Sequence, residues 1–287
     1  MLNRTKFYML IALLTSALST NAQINNMETL KTSGHAPVNG IQMYYEIHGN
    51  SSGLPLVLIH GGGSTIETTF GVILPMLAAH NKVIAVELQA HGRTSDRNAP
   101  ETFEQDASDV AALLKYLKVD KANIMGFSDG GCTTMQLAMS HPELLNKIVV
   151  VSSNYQREGM VPGFFEGLQN ATLKDMPEPL KAGFLKVTPD KDRLQNVFEK
   201  DRSRRLVFQD WPDAALQSIK TPALIMAGDK DVITTEHIVK LSHLIPGAQL
   251  VILPGMHGTL LGEICSAKKG SRQPEITATL VQEFLNE

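Results

Sequence analysis

The chain is poor in cysteine and tryptophan, with two of the former and one of the latter in 287 residues. That excludes a small disulfide-stapled scaffold, which needs many cysteines. Cys132 falls in an apolar helical stretch, where a thiol acts as a small hydrophobe, so free thiols are expected rather than a bridge to Cys265. Charge of one sign is also lacking. A formal net charge of -3 offers no long-range attraction for nucleic acid or an anionic membrane, so neither is expected as a partner. The nine histidines do not cluster at metal-ligand spacing, so no metal is expected. There is no internal repeat and no low-complexity tract. With 43% hydrophobic and 19% charged residues, the composition is that of a globular protein and not of a disordered chain.

No hydrophobic run is long enough to span a bilayer comfortably. The apolar run over residues 7–18 follows Arg4 and Lys6 and ends in Ser19-Thr20-Asn21-Ala22. This pattern reads as an export leader, residues 1–22, cut after Ala22. The mature chain then starts near Gln23, periplasmic or secreted, with no stable membrane anchor. An uncleaved N-terminal anchor is the alternative. No cysteine stands at the cut to carry a lipid.

What is present is a rhythm. Leu54-Pro55-Leu56-Val57-Leu58-Ile59 is a short continuous apolar run, as a strand buried on both faces requires. Similar runs recur at 82–86, 122–125, 147–151, 223–227 and 249–253. Apolar residues at helical spacing lie between or after them at 103–117, 132–139, 236–244 and 274–285. Strands alternating with helices predict an α/β fold, a mostly parallel sheet flanked by helices. The rhythm fails over residues 155–215, which hold five prolines and the charged stretch Glu199-Lys200-Asp201-Arg202-Ser203-Arg204-Arg205. Sixty residues are too many for a structureless loop, so a small helical cap is expected there. The core then has two parts, 23–154 and 216–287.

Gly126-Phe127-Ser128-Asp129-Gly130 matches the G-x-S-x-G elbow, in which a sharp strand-to-helix turn exposes a nucleophilic serine. The strand-like residues before it and helix-like residues after it supply the context the motif needs; an ordinary turn serine is the alternative. His60-Gly61-Gly62-Gly63 follows the first buried run and has the form of an oxyanion loop. Bare backbone N–H groups can there approach a substrate carbonyl. The two donors expected are the amide of Gly62 or Gly63 and that of Asp129. An acid follows the 223–227 run, either Asp229 or Asp231, and His257 follows the last run. Histidine takes the serine proton and an acid orients it. Either aspartate could instead be a cap or turn carboxylate. His35, His48, His91, His141, His237 and His243 read as surface or loop residues.

The elbow, the His60 loop and the acid and histidine turns, in this order, resemble the α/β-hydrolase superfamily over about residues 40–287. Residues 83–96 resemble its D-x-x-G-x-G-x-S segment, with Glu87 where aspartate is usual and Thr94 where serine is common among the departures. The G-x-x-D pattern of that family implies Asp231 as the acid, in a triad with Ser128 and His257. The resemblance implies a serine hydrolase of a small-molecule ester or related acyl bond, without cofactor. Carbon–carbon bond hydrolases, lactonases and cofactor-free haloperoxidases use the same triad, and a non-catalytic binding protein of this fold is the rival from another class. Asp129 raises one further option, attraction of a cationic substrate group, as in amino-acid ester hydrolases with a Ser-Asp-Gly-Gly sequence. Its simpler role is to complement the positive end of the following helix. Phe164, Phe165, Met160, Phe184 and Trp211 could line a cavity or form the cap's own core.

Overall fold

Alternation inside the apolar runs decides which way each side chain points. Val57, Ile59, Ile84, Val86, Ile124, Ile148, Val150 and Ile225 join one buried cluster, while Leu56, Leu58, Val83, Met125, Val149 and Leu224 join another. The two clusters lie on opposite faces of one sheet, because successive side chains of a strand point to opposite sides. The structure, a computed structural model, describes residues 30–287, and the expected leader, residues 1–22, lies outside the described residues. No helix among the described residues is long and apolar enough to cross a membrane.

The strands are β1 (Leu30–Val38), β2 (Ile41–His48), β3 (Leu56–Ile59), β4 (Val83–Val86), β5 (Ala122–Phe127), β6 (Leu145–Val151), β7 (Ala223–Gly228) and β8 (Gln249–Leu253). They form one sheet in the order β1-β2-β4-β3-β5-β6-β7-β8. Every neighbouring pair from β4 to β8 is parallel, and β2 runs against both β1 and β4. The mostly parallel α/β architecture is therefore as expected. The helices of the core are α1 (Ile66–Phe70), α2 (Leu74–Ala78), α3 (Phe103–Tyr116) and α4 (Asp129–Ser140). Between β6 and β7 come α5 (Phe164–Asn170), α6 (Glu178–Val187), α7 (Lys191–Val207) and α8 (Asp213–Gln217), followed by α9 (Thr235–Leu244) and α10 (Gln273–Asn286). Val110 and Leu113 of α3, Met135 of α4 and Ile238 of α9 cover one face of the sheet; Phe70, Leu77, Val281 and Phe284 cover the other.

Three details differ from expectation. The β1–β2 hairpin had no counterpart among the apolar runs, because its strands alternate and one face is exposed. Its signal is Asn39-Gly40, both at positive φ (42° and 86°), the two-residue turn that suits a hairpin's twist. β8 is not buried on both faces, since it is an edge strand with Leu250 exposed. His48, His91 and His237 are buried rather than superficial. Each has a polar partner that makes burial tolerable: His48 meets Glu46 at 2.9 Å, His91 meets Asp201 at 3.0 Å, and His237 accepts the Tyr155 N–H at 3.2 Å. Cys132 and Cys265 are both free thiols.

The β5–α4 crossing leaves no room for side chains. A methyl on Gly126 would overlap the Gly130 carbonyl and the Thr134 hydroxyl. Gly126→Ala should therefore cost about 1–3 kcal/mol or more by overpacking. Urea unfolding measures it, and a midpoint equal to that of the native chain would show that the crossing can spread without cost.

Candidate active site

The loops that carry chemistry all leave the carboxyl ends of parallel strands, where an open α/β sheet forms its crevice. β5 ends at Phe127 and α4 begins at Asp129, so Ser128 has to make the whole turn. It does so at φ 55° and ψ -118°, a left-handed conformation that costs a serine about 1–3 kcal/mol. Its carbonyl accepts the N–H groups of Gly131 and Cys132, and the Ser153 hydroxyl donates to it as well. The turn is thus held from both sides.

His257 bridges the serine and an acid. Its Nε2 lies 3.1 Å from Ser128 Oγ and its Nδ1 lies 2.8 Å from Asp231 Oδ1. With Nδ1–H donating to the carboxylate, Nε2 is left to accept the serine proton. Burial works against the charge of Asp231, but the bonds from His257, Ser152 Oγ (2.6 Å) and the Ile233 N–H (3.2 Å) outweigh it and hold its carboxyl below the usual range. Asp229 does something else. It accepts the Gly255 N–H at 2.7 Å and braces the turn that precedes His257. The structure brings Ser128, Asp231 and His257 together and leaves Asp229 out.

The glycine loop needs one correction. Gly63 N–H donates to Asp201 Oδ2 at 2.6 Å, so this amide is engaged and not open to a substrate oxygen. Among the described residues, the Gly62 and Asp129 amides make no such bond. Of the three amides that the sequence offered, these two are left without an acceptor. His60 holds the loop from beneath: its Nδ1 donates to the Gly61 carbonyl at 2.8 Å and its Nε2 accepts the Leu88 N–H at 3.1 Å. Complete burial, and then the neighbouring His91, push its pKa down to about 3, so the ring stays neutral and keeps both bonds.

Asp201, Arg204 and Arg205 carry the largest surprise. Leu194, Val197, Arg204 and Arg205 are buried on α7, and Asp201 shares their helical face. Arg204 Nη1 meets Asp106 Oδ2 at 2.8 Å, and its Nη2 meets Asp129 Oδ2 and Asp201 Oδ1, each at 2.6 Å. Arg205 pairs with the other oxygen of Asp129 and with Asn154 Oδ1 at 2.9 Å. Asp201, Arg204 and Arg205 of the charged stretch thus belong to a buried ion network beside Ser128. The spacing 194, 197, 201, 204, 205 was the available signal, because it repeats at helical period across apolar and charged residues alike.

His91, Glu101 and Asp201 offer ligand atoms within 4.8 Å of one another, a grouping that could suit a cation. Arg204 already bridges two of the three, at 2.6 Å to Asp201 and 3.6 Å to Glu101. The donor set is organised around a guanidinium, and a metal does not fit it.

Above Ser128 lies a cavity of about 440 Å³. Met160, Phe164, Leu168, Met176, Leu180 and Phe198 of the cap segment form its apolar wall, with Val232 and Ile233 from the core. Of the aromatic residues that sequence offered, Phe164 lines the cavity. Phe184 is fully buried in the cap's own cluster, Trp211 packs on Phe103 and Phe208, and Phe165 lies under the Arg157 guanidinium.

Known proteins are similar to this chain. A family model for the alpha/beta hydrolase fold matches residues 55–214. Serine hydrolase BPHL of Homo sapiens is 30% identical over 245 residues, 80% of this chain and 81% of that one. The 2-hydroxy-6-oxo-6-(2'-aminophenyl)hexa-2,4-dienoic acid hydrolase of Metapseudomonas resinovorans is 26% identical, over 70% of this chain and 77% of its own. Among solved structures, Est816, an N-acyl homoserine lactone degrading enzyme, aligns with a TM-score of 0.66 at 25% identity, over 88% of this chain and all of that one.

The network makes stability depend on pH. Burial opposes protonation of His91, but the Asp201 carboxylate against Nε2 overrides it and raises the pKa to about 9. A group raised in the folded state contributes fully below its unfolded value of about 6.5 and loses that contribution up to 9. Glu101 and Glu87, raised by burial to about 8 and about 7, lose stability in the same direction as pH rises. Thermal unfolding should therefore show the native chain losing roughly 1–3 kcal/mol more than His91→Gln between pH 6.5 and 9.5. Parallel curves would mean that His91 is neutral in the fold.

Proposed function

The chain belongs to the α/β-hydrolase fold family, and from that premise we propose that it cleaves a carboxylic ester or a related acyl bond through an acyl-serine intermediate. The observation that carries this reading is the bridge of His257 between Ser128 Oγ and Asp231 Oδ1. Ser128 Oγ attacks the acyl carbon while His257 Nε2 takes its proton. The oxyanion that forms is received by the Gly62 and Asp129 amides. His257 then returns the proton to the departing oxygen, and Asp231 stabilises the imidazolium in between. Water attacks the acyl-serine by the same proton route, releasing the acid and restoring Ser128. The loops that hold these groups are braced by His60, Ser152 and Asp229, none of which meets the reacting bond.

A carbon–carbon bond is the second reading. The name of the Metapseudomonas resinovorans relative favours it, and the same three side chains would serve. Ester and lactone cleavage is preferred because the cavity wall is apolar and BPHL is a serine hydrolase by name.

Turnover of p-nitrophenyl acetate tests the assignment. Ser128→Ala should abolish it with the fold intact by circular dichroism, and Asp231→Asn should lower kcat by about 10⁴-fold. A fluorophosphonate should label the native chain on Ser128. Turnover that survives Ser128→Ala would remove Ser128 as the nucleophile.

A further inference from the structure

A cavity selects by charge as well as by shape, since a charge brought out of water needs a partner inside. The charged side chains beside Ser128 already have partners. Asp129, directly after the nucleophile, is held by Arg204 Nη2 at 2.6 Å on one oxygen and by Arg205 on the other. Arg205 gives its remaining reach to Asn154 Oδ1 at 2.9 Å. Asp201 is shared among Arg204, His91 and the Gly63 amide. Arg202, at the cavity's edge, donates to the carbonyls of Leu168 and Gln169, and Asp175 accepts from Thr172. Three cations, His91, Arg204 and Arg205, face three carboxylates, Asp106, Asp129 and Asp201, while the fourth acid, Glu101, 3.6 Å from Arg204, is kept protonated by burial, which raises its pKa to about 8.

We propose that this balanced network makes the site selective for an uncharged acyl group, and that Arg205 is the residue that closes Asp129 to cationic substrates. The inference rests on the acyl-serine reading and names its substrate class: neutral esters or lactones with a medium, apolar acyl chain. A substrate ammonium near the scissile bond would have to displace Arg205 from Asp129. A substrate carboxylate would find Arg204 and Arg205 paired with Asp129, and Arg202 donating to the Leu168 and Gln169 carbonyls. The option of a cation-attracting Asp129, open from the sequence, is therefore closed in this chain by two residues of the cap.

The test compares three activated esters of similar size: p-nitrophenyl hexanoate, the p-nitrophenyl ester of norleucine, which adds an α-ammonium, and p-nitrophenyl hydrogen adipate, which adds a carboxylate. Each kcat/KM is divided by the ester's own alkaline hydrolysis rate. The neutral ester should exceed both charged ones by at least about tenfold, a difference of about 1.4 kcal/mol. Arg205→Gln should raise the norleucine-to-hexanoate ratio about tenfold, Asp129→Asn should raise the adipate-to-hexanoate ratio, and the double variant should fall back toward the native preference. Equal rates for charged and neutral esters in the native chain overturn the inference, whatever the variants do. Should no ester turn over, the acyl-serine reading fails, and calorimetric binding of methyl hexanoate and norleucine methyl ester to Ser128→Ala still decides the charge preference. Tighter binding of the neutral ester upholds it, and equal or reversed affinities overturn it.

Discussion

The guanidinium of Arg204 is where the cap and the core are joined. It is almost fully buried, and the carboxylates around it come from α3, from Asp129 after the Ser128 turn and from its own helix. A buried cation of this kind contributes little net stability, but removing one partner leaves an uncompensated charge, and that is expensive. The consequence is geometric. α7 can sit over the strand ends in the one position where the carboxylates and the guanidinium meet. That seat places Phe198 in the cavity wall and puts Asp201 against the Gly63 amide. The shape of the cavity and the pose of the glycine loop therefore follow from one ion network.

The glycine loop is held twice, and the two holds are of different kinds. His60 is neutral and satisfies a carbonyl and an amide from below. Asp201 is charged and takes the Gly63 amide from above. Between them the Gly62 amide has little freedom left, which suits the oxyanion role proposed for it, because reorganising during the reaction would cost rate. The strained Ser128 turn is supported in the same manner, by hydrogen bonds to its carbonyl and by glycines that let β5 and α4 nearly touch.

Local pattern made the sheet legible. Buried parallel strands must be apolar on both faces, so five of the six runs read from sequence became interior strands, and the sixth, 249–253, became β8 at the edge. The β1–β2 hairpin escaped because it follows the other rule, alternation with a tight turn at Asn39-Gly40. Ser128 and His257 were legible because each stands just past a strand end, where chain order limits the choices; position did not separate Asp229 from Asp231, and only the family's G-x-x-D pattern pointed to Asp231. Asp201, Arg204 and Arg205 were not, because a charge run usually means a solvated face, and only tertiary packing reveals carboxylates from distant segments on the other side. His91 and His237 were misjudged for the same reason: their partners are 110 and 82 positions away.

The residue after a nucleophilic serine faces two demands that conflict when it is aspartate. In the proposed acyl-serine mechanism its amide is one of two donors for the oxyanion, while its carboxylate repels the negative charge that forms there. At an effective dielectric near 20, two like charges about 5 Å apart repel by roughly 3 kcal/mol, which is about a hundredfold in rate. Asp129 would impose such a penalty if it stood alone. Arg204 and Arg205 each take one of its oxygens, so the field reaching the oxyanion is that of a compensated group. In the proposed mechanism the cap therefore does more than wall the cavity: it supplies the positive charge that makes an aspartate tolerable beside Ser128. The Ser-Asp pair in the elbow and the Arg-Arg pair seventy-five residues later belong to one electrostatic unit, split by the chain and reunited by the fold.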